Sequence, residues 1–262
     1  MLGPTPFRLT AYGLVAMALV APAALAQTKL QTERADTLAV INQIGDVATA
    51  VSSGIGLAAT IHQLDVANQT TVLQRGNANQ SIVEAEDGAS GGTARALVIQ
   101  DGTANAAALA QRGTAATIVV QSGQLNQAGI VQDNAGTGIA NTATVLQFGA
   151  GNEVAARQQV PIGALPRGFG AADGNRLLVS QDGEGNVASV DQNGRGNLVG
   201  IRQDGLLNST TVVQENDDNT IFVDQTGVGL VVDYFQSGTE SAPVIINQNA
   251  GAPPVSVTRS GP

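Results

Sequence analysis

Amide side chains recur along this chain at one fixed interval. Gln181, Gln192, Gln203, Gln214, Gln225 and Gln236 follow one another every eleven residues. Asn175, Asn186, Asn197, Asn208 and Asn219 stand six residues before the first five, and Gly183, Gly194, Gly205, Gly227 and Gly238 stand two residues after most of them. A carboxamide carries both donors and acceptor lone pairs, so it can bond to a copy of itself. Gln43, Gln63, Gln74, Gln100, Gln111, Gln121, Gln132, Gln147 and Gln158 extend the series upstream and Gln248 extends it downstream. Ser52 and Ala85 end two degenerate units, which makes 16 units ending in Gln and 18 in all. The matching asparagines upstream are Asn68, Asn105, Asn126, Asn141 and Asn152.

The other reactive side chains do not gather. The single histidine, His62, falls at an outward position beside Gln63, there is no cysteine, and the carboxylates are spread over turns. Gly194-Arg195-Gly196 and similar clusters read as turns, because no helical pattern follows them as a phosphate loop requires. Glu215, Asp217 and Asp218 suggest calcium, but the Gly-Gly-x-Gly-x-Asp nonapeptide of calcium-loaded β-rolls is missing. No catalytic, cofactor-binding or metal-ligating residue is assigned.

The elements that position the amides are strands. The unit reads Asn-x-Ala/apolar-x-apolar-x-Gln-x-Gly, as in Asn141-Thr142-Ala143-Thr144-Val145-Leu146-Gln147-Phe148-Gly149. Its internal spacing of two is the strand period. Asn186, Ala188, Val190 and Gln192 share one face, and Val187, Ser189 and Asp191 the other. Charges such as Asp191, Arg202 and Asp224 fall opposite the amides, so the amide face points inward. A strand of about seven residues leaves about four for a tight turn, supplied by segments such as Asp182-Gly183-Glu184-Gly185. Two strands make one flattened turn, and successive turns stack in parallel about 4.8 Å apart. Each inward amide then meets its copy one turn away, while Ala, Val and Ile fill the dry middle. An inward amide without a partner would cost several kcal/mol, so the motif makes sense only when repeated. The fold expected is all-β: a single-domain β-solenoid of strand-turn-strand rungs, parallel and in register, with about nine turns and a height on the order of 43 Å.

Composition agrees with a stacked repeat. Of 262 residues 32 are Gly, charged residues make up 13% and aromatic residues 3%, and there is no Trp. With 0 Cys, no disulfide holds the fold together. Residues 1–26 read as a signal peptide: Leu14-Val15-Ala16-Met17-Ala18-Leu19-Val20 is its apolar run and Ala24-Leu25-Ala26 its cleavage site. The formal charge of −9 becomes −10 once Arg8 leaves with it, which argues against nucleic acid as a partner. Residues 27–36 read as a flexible leader, 37–248 as the solenoid and 249–262 as a tail behind Pro253 and Pro254. The 23-residue interval from Gln158 to Gln181 contains Pro161 and Pro166 and reads as a loop over 159–174. The 15-residue intervals ending at Gln100 and Gln147 read as enlarged turns at 88–92 and 135–138.

The unit resembles the curlin repeat, the building block of curli, the extracellular functional-amyloid fibres of bacterial biofilms. Family repeats are similar to Ser-x5-Gln-x-Gly-x-Gly-Asn-x-Ala-x3-Gln. The stretch Gln181-Asp182-Gly183-Glu184-Gly185-Asn186-Val187-Ala188-Ser189-Val190-Asp191-Gln192 carries that pattern. So does Gln192-Asn193-Gly194-Arg195-Gly196-Asn197, with Val199 in place of the Ala. The resemblance covers about Thr37 to Gln248, and it departs from the family in mostly lacking the opening Ser. It implies a structural subunit, not an enzyme, that is secreted through the periplasm to the cell surface and polymerises end to end in a biofilm matrix that supports adhesion. The implied partners are further copies of itself, a curlin-like nucleator or co-subunit, and an outer-membrane secretion pore that recognises the leader. No cofactor is implied. The competing reading is a secreted monomeric β-solenoid adhesin. An ice-binding face is disfavoured, since the outward positions Ser189, Gly200, Thr211 and Phe222 form no Thr ladder. Acidic turn residues, Asp182, Glu184, Glu215, Asp217 and Asp218, are candidate gatekeepers against premature stacking.

Overall fold

In the computed structural model the described residues are 17–20, 27–32, 37–43, 47–64, 67–86, 92–134, 139–161, 174–238 and 242–260. They form strands that alternate between two parallel sheets. One sheet holds β1 (Met17–Val20), β3 (Leu38–Gln43), β5 (Ala58–Leu64), β7 (Gln80–Glu86), β9 (Ala106–Arg112), β11 (Gln127–Asp133), β13 (Glu153–Gln159), β15 (Val187–Asn193), β17 (Ser209–Glu215), β19 (Val231–Ser237) and β21 (Val255–Ser260). The other holds β2 (Gln27–Thr32), β4 (Val47–Ile55), β6 (Gln69–Asn77), β8 (Ala94–Thr103), β10 (Ala115–Gln124), β12 (Asn141–Ala150), β14 (Arg176–Glu184), β16 (Leu198–Leu206), β18 (Thr220–Val228) and β20 (Val244–Asn249). Each strand pairs with the strand two before it and the strand two after it, as a coil of two-strand rungs requires. The 18 units read from the sequence are β3 to β20, or nine rungs.

Register follows the inward residues. Gln121 lies against Gln100 on one side and Gln147 on the other. A slip by one residue would turn every amide outward, so the pattern fixes the pairing. Burial alternates strictly, as in β15, where Ala188, Val190 and Gln192 are buried. The dry centre is a column of Ala, Val, Leu and Ile from each sheet, with Tyr234 its one large aromatic near the C-terminal end. Small residues let the two sheets close on each other and leave dispersion contacts on every side.

The structure adds four features to the sequence reading. Strands of the second sheet run nine or ten residues through most of the stack, rather than about seven. Pairing continues past the Gln because glycines stack there, Gly149 on Gly183 and Gly183 on Gly205. At Gly183, φ is +120° and a Cβ would lie 2.0 Å from the Gly205 carbonyl oxygen, so only glycine permits this approach. The leader expected to be flexible instead contributes β2, paired with β4, and Met17–Val20 of the expected signal segment pairs with β3. The expected tail contributes β21, because Val255 and Val257 alternate in register with Val232 and Tyr234 and pack on the core. The long interval before Gln181 adds no rung: Gln147 pairs with Gln181, and Gln158 with Gln192. Most of the expected loop (162–173) and most of both enlarged turns (87–91 and 135–138) lie outside the described residues.

Candidate functional site

The predicted amides assemble into four columns. In the second sheet one glutamine column is continuous. Ser52 Oγ donates to Gln74 Oε1 at 3.2 Å, and then each Gln Nε2 donates to the next Oε1: Gln74 to Gln100 at 2.9 Å, Gln100 to Gln121 at 2.8 Å, and Gln121 to Gln147 at 2.8 Å. It continues from Gln147 to Gln181, Gln203, Gln225 and Gln248 at 2.8–2.9 Å. The second N–H of each amide crosses to the backbone of the opposite strand, as Gln147 does to the Gln127 carbonyl at 2.9 Å. Both donors are therefore used, and all dipoles of the column point the same way.

The first sheet carries a broken column. Gln111, Gln132, Gln158, Gln192 and Gln214 are joined by bonds of 2.7–3.1 Å. The gap above it has a cause. Ala85 stands between Gln63 and Gln111, so Gln63 Nε2 turns to Thr70 Oγ1 at 2.9 Å and Gln111 Oε1 has no partner among the described residues. Thr117 braces the first link of the column instead, accepting from Gln111 Nε2 at 3.0 Å and donating to Gln132 Oε1 at 2.7 Å. Gln43 is in backbone register with Gln63, and its side chain lies outside the described residues.

The asparagines line the two arcs and act on the backbone. In one arc Asn105, Asn126, Asn152, Asn186 and Asn208 each accept the backbone N–H one rung on, as Asn126 Oδ1 does from Asn152 at 3.1 Å. Their Nδ2 groups donate to the stacked glycine carbonyls, as Asn152 does to Gly183 at 3.0 Å. In the other arc Asn68, Asn141, Asn175 and Asn197 accept in the same way at 2.9–3.2 Å. Asn219 donates to the Glu215 carbonyl at 2.8 Å. The two glutamine columns are thus side-chain ladders. The Asn side chains satisfy arc amides that no strand partner reaches, and Asn79, Asn105, Asn126 and Asn152 also bond side chain to side chain at 3.1–3.2 Å.

Sequence reasoning missed several members. Asn79 is fully buried and heads the first asparagine column, with Oδ1 accepting Asn105 N–H at 3.0 Å. It stands six residues before Ala85, so a search anchored on Gln passed over it. Ser52, Thr70, Thr117 and Thr210 are buried hydroxyls in the same network.

The carboxylates divide. Asp217 is held by Arg195 at 2.8 Å, with both side chains about four-fifths buried. That ion pair takes up a central member of the proposed calcium cluster. Asp182 stacks directly on Asp204, as a gatekeeper pair would. Asp101 accepts from Arg75 Nε at 3.0 Å, and that bond holds its carboxyl below the ordinary aspartate range.

The two ends of the columns matter for any growth of the stack. The first sheet ends at β21 and the second at β20, each paired on one side only among the described residues. Side chains close this end differently from the interior. After Asn208 the arc position is Leu230, and after Gln236 the inward position is Arg259. Gln248 Nε2 turns back to the Pro253 carbonyl at 2.8 Å and the Val231 carbonyl at 3.1 Å. Tyr234 donates to Gln236 Oε1, and Gln236 Nε2 has no partner among the described residues. The last unit keeps its Gln, but the ladders do not run out to the edge.

Residues 172–205, which span β14, β15 and most of β16, match the family model described as the curlin associated repeat. No curated protein and no solved structure matches the chain.

Proposed function

We propose, from a chain that carries the curlin associated repeat, that this protein is a structural subunit of an extracellular curli-like fibre. One observation carries the reading. The rungs stack in parallel and in register along the described chain, and the last strand of each sheet is paired on one side only among the described residues. Soluble proteins blunt such edges, because free N–H and C=O rows template further strands. A second copy that places its first rung on β20 and β21 continues both sheets and gives a cross-β fibre. The family is a structural one, and its self-assembly supports the same reading. Secretion behind a cleaved signal at 1–26, recognition of the leader by an outer-membrane pore, nucleation by a curlin-like co-subunit, and a role in biofilm adhesion belong to this proposal. The formal charge of −9 leaves nucleic acid outside it.

The test uses the mature chain from Gln27. Fibres that bind thioflavin and give a meridional spacing of about 4.7–4.8 Å are expected. Chains that stay monomeric at high concentration over days overturn the reading. That outcome would favour a monomeric solenoid adhesin, for which one observation speaks: the closing of the columns by Leu230, Arg259 and Pro253 before the C-terminal edge.

A further inference from the structure

The outer faces of the two sheets have opposite relief on the same rungs. On the second sheet, from β6 to β12, one outward column is bulky and apolar throughout, formed by Leu73, Ile99, Val120 and Leu146. The adjacent column reads Thr71, Leu97, Ile118 and Thr144, with Leu97 and Ile118 at its centre. Ile118 is 41% exposed, and Leu178 continues its column on β14 at 49%. On the first sheet, from β9 to β13, one outward column is small throughout. Ala108, Gly129 and Ala155 leave a shallow trough, with Ala106, Gln127 and Glu153 along one side and Ala110, Val131 and Arg157 along the other. The relief is local: on β16, one rung after Leu178, it gives way to Gly200 and to Arg202 of the Arg202–Asp224 ion pair.

Charge has the same complementarity. Arg95 is exposed at the start of β8, beside the ridge. Glu84 and Glu86 lie at the end of β7, beside the trough. The end of one strand and the start of the next share an arc, so both sets lie along the same side of the stack. A copy displaced sideways without rotation therefore brings Arg95 of one molecule over Glu84 and Glu86 of the other. The same displacement sets Ile99 and Val120 over Ala108 and Gly129.

We propose that the ridge of the second sheet packs into the trough of the first sheet of another copy, so that molecules associate side by side, across the stacking axis. Sheets packed face to face lie about 10 Å apart with their side chains interdigitated, and a bulky column over a small one fills that gap without crowding. The apolar column extends over about 19 Å of the stack, four strands at about 4.8 Å. Contiguous apolar surface of that kind marks an interaction site. The two patches differ, so the interface is heterologous and repeats without closing. The interface needs no free strand edge, so it stands whether or not the chain grows end to end.

The experiment takes the mature chain with a ridge variant, Ile118→Lys, and a trough variant, Ala108→Glu, both at outward positions. Folding is checked by circular dichroism and association by sedimentation velocity. Each variant alone is expected to lose the side-by-side species. An equimolar mixture is expected to give a dimer and nothing larger, because one intact ridge then meets one intact trough. Arg95→Glu weakens association and Glu84→Arg with Glu86→Arg restores it, which separates a lost interface from a lost fold. If fibres form, electron microscopy of both variants shows single-width fibres where the parent chain forms bundles. Unchanged association in both variants overturns the proposal. So does loss in the ridge variant alone, which would mean a ridge-on-ridge contact, or a mixture that gives no dimer.

Discussion

At the scale of the residue, an inward amide is stable only through its neighbours. Gln147 receives a bond from Gln121, donates to Gln181, and donates to the Gln127 backbone. Gln147→Ala strands a buried donor and two buried acceptors, and the loss expected is on the order of 3 kcal/mol, measured by urea unfolding. The reverse case is already present in the chain. Ala85 interrupts the other column, and the backbones of Gln63 and Gln111 on either side show that a Gln fits the register. Ala85→Gln is expected to stabilise the fold by about 1 kcal/mol, since Gln111 Oε1 gains a donor. A third residue gives a pH dependence. Burial pushes the Tyr234 hydroxyl above the ordinary tyrosine range, with Arg259 opposing the shift in part. The unfolded chain then ionises first, so this contribution is fully present below about pH 10 and is lost as pH rises through the folded value. Thermal unfolding between about pH 8 and about pH 11 should show a steeper alkaline decline in the parent than in Tyr234→Phe.

The element is an eleven-residue strand and arc, and its limits come from backbone contact as much as from side chains. Gly183 and Gly229 both have positive φ, yet their surroundings differ. A Cβ at Gly183 strikes the Gly205 carbonyl, whereas at Gly229 nothing lies within 4 Å. Gly183→Ala is expected to cost more than about 3 kcal/mol, and Gly229→Ala only the left-handed strain of about 1 kcal/mol, a difference that paired thermal melts would resolve. This scale also sets how much was legible beforehand. Strand period, inward face and parallel register follow from Asn186, Ala188, Val190 and Gln192, since a side-chain period of two admits one arrangement once the amides must be buried. Strand length did not follow, because stacking of glycine on glycine is a property of two rungs and not of one. Asn79 was hidden behind Ala85, the residue that breaks its unit. β21 was hidden by two prolines, although Arg259 stands eleven residues after Gln248 and Val255 and Val257 keep the alternation. The period was the signal there. The insertion before Gln181 was legible as a break in the count, and the pairing of Gln147 with Gln181 makes it a single connection.

At the scale of the whole molecule, the ladders give the stack a direction and the last rung opposes it. Donors along the continuous column all point toward the C-terminal end, so each junction between copies should carry one Nε2 across the boundary. That Nε2 is withheld: Gln248 spends its hydrogens on Pro253 and Val231. In the other sheet Arg259 places a cation where the column would continue, with Nη1 on the Ala242 carbonyl at 2.8 Å. Backbone pairing at β20 and β21 still permits growth, but a new copy must then lay its first inward side chains against a charge. Desolvating that guanidinium disfavours the junction. In the proposed fibre the C-terminal rung is therefore expected to slow addition, as edge charges do in soluble sheets. Arg259→Gln should lengthen the ladder by one position, give Gln236 Nε2 an acceptor, and offer a free amide to the next copy. Thioflavin-monitored assembly seeded with preformed fibres should then elongate several-fold faster, while Arg259→Lys keeps the parental rate. Equal rates for all three chains would mean that the C-terminal face takes no part in growth, and an edge elsewhere would have to carry it.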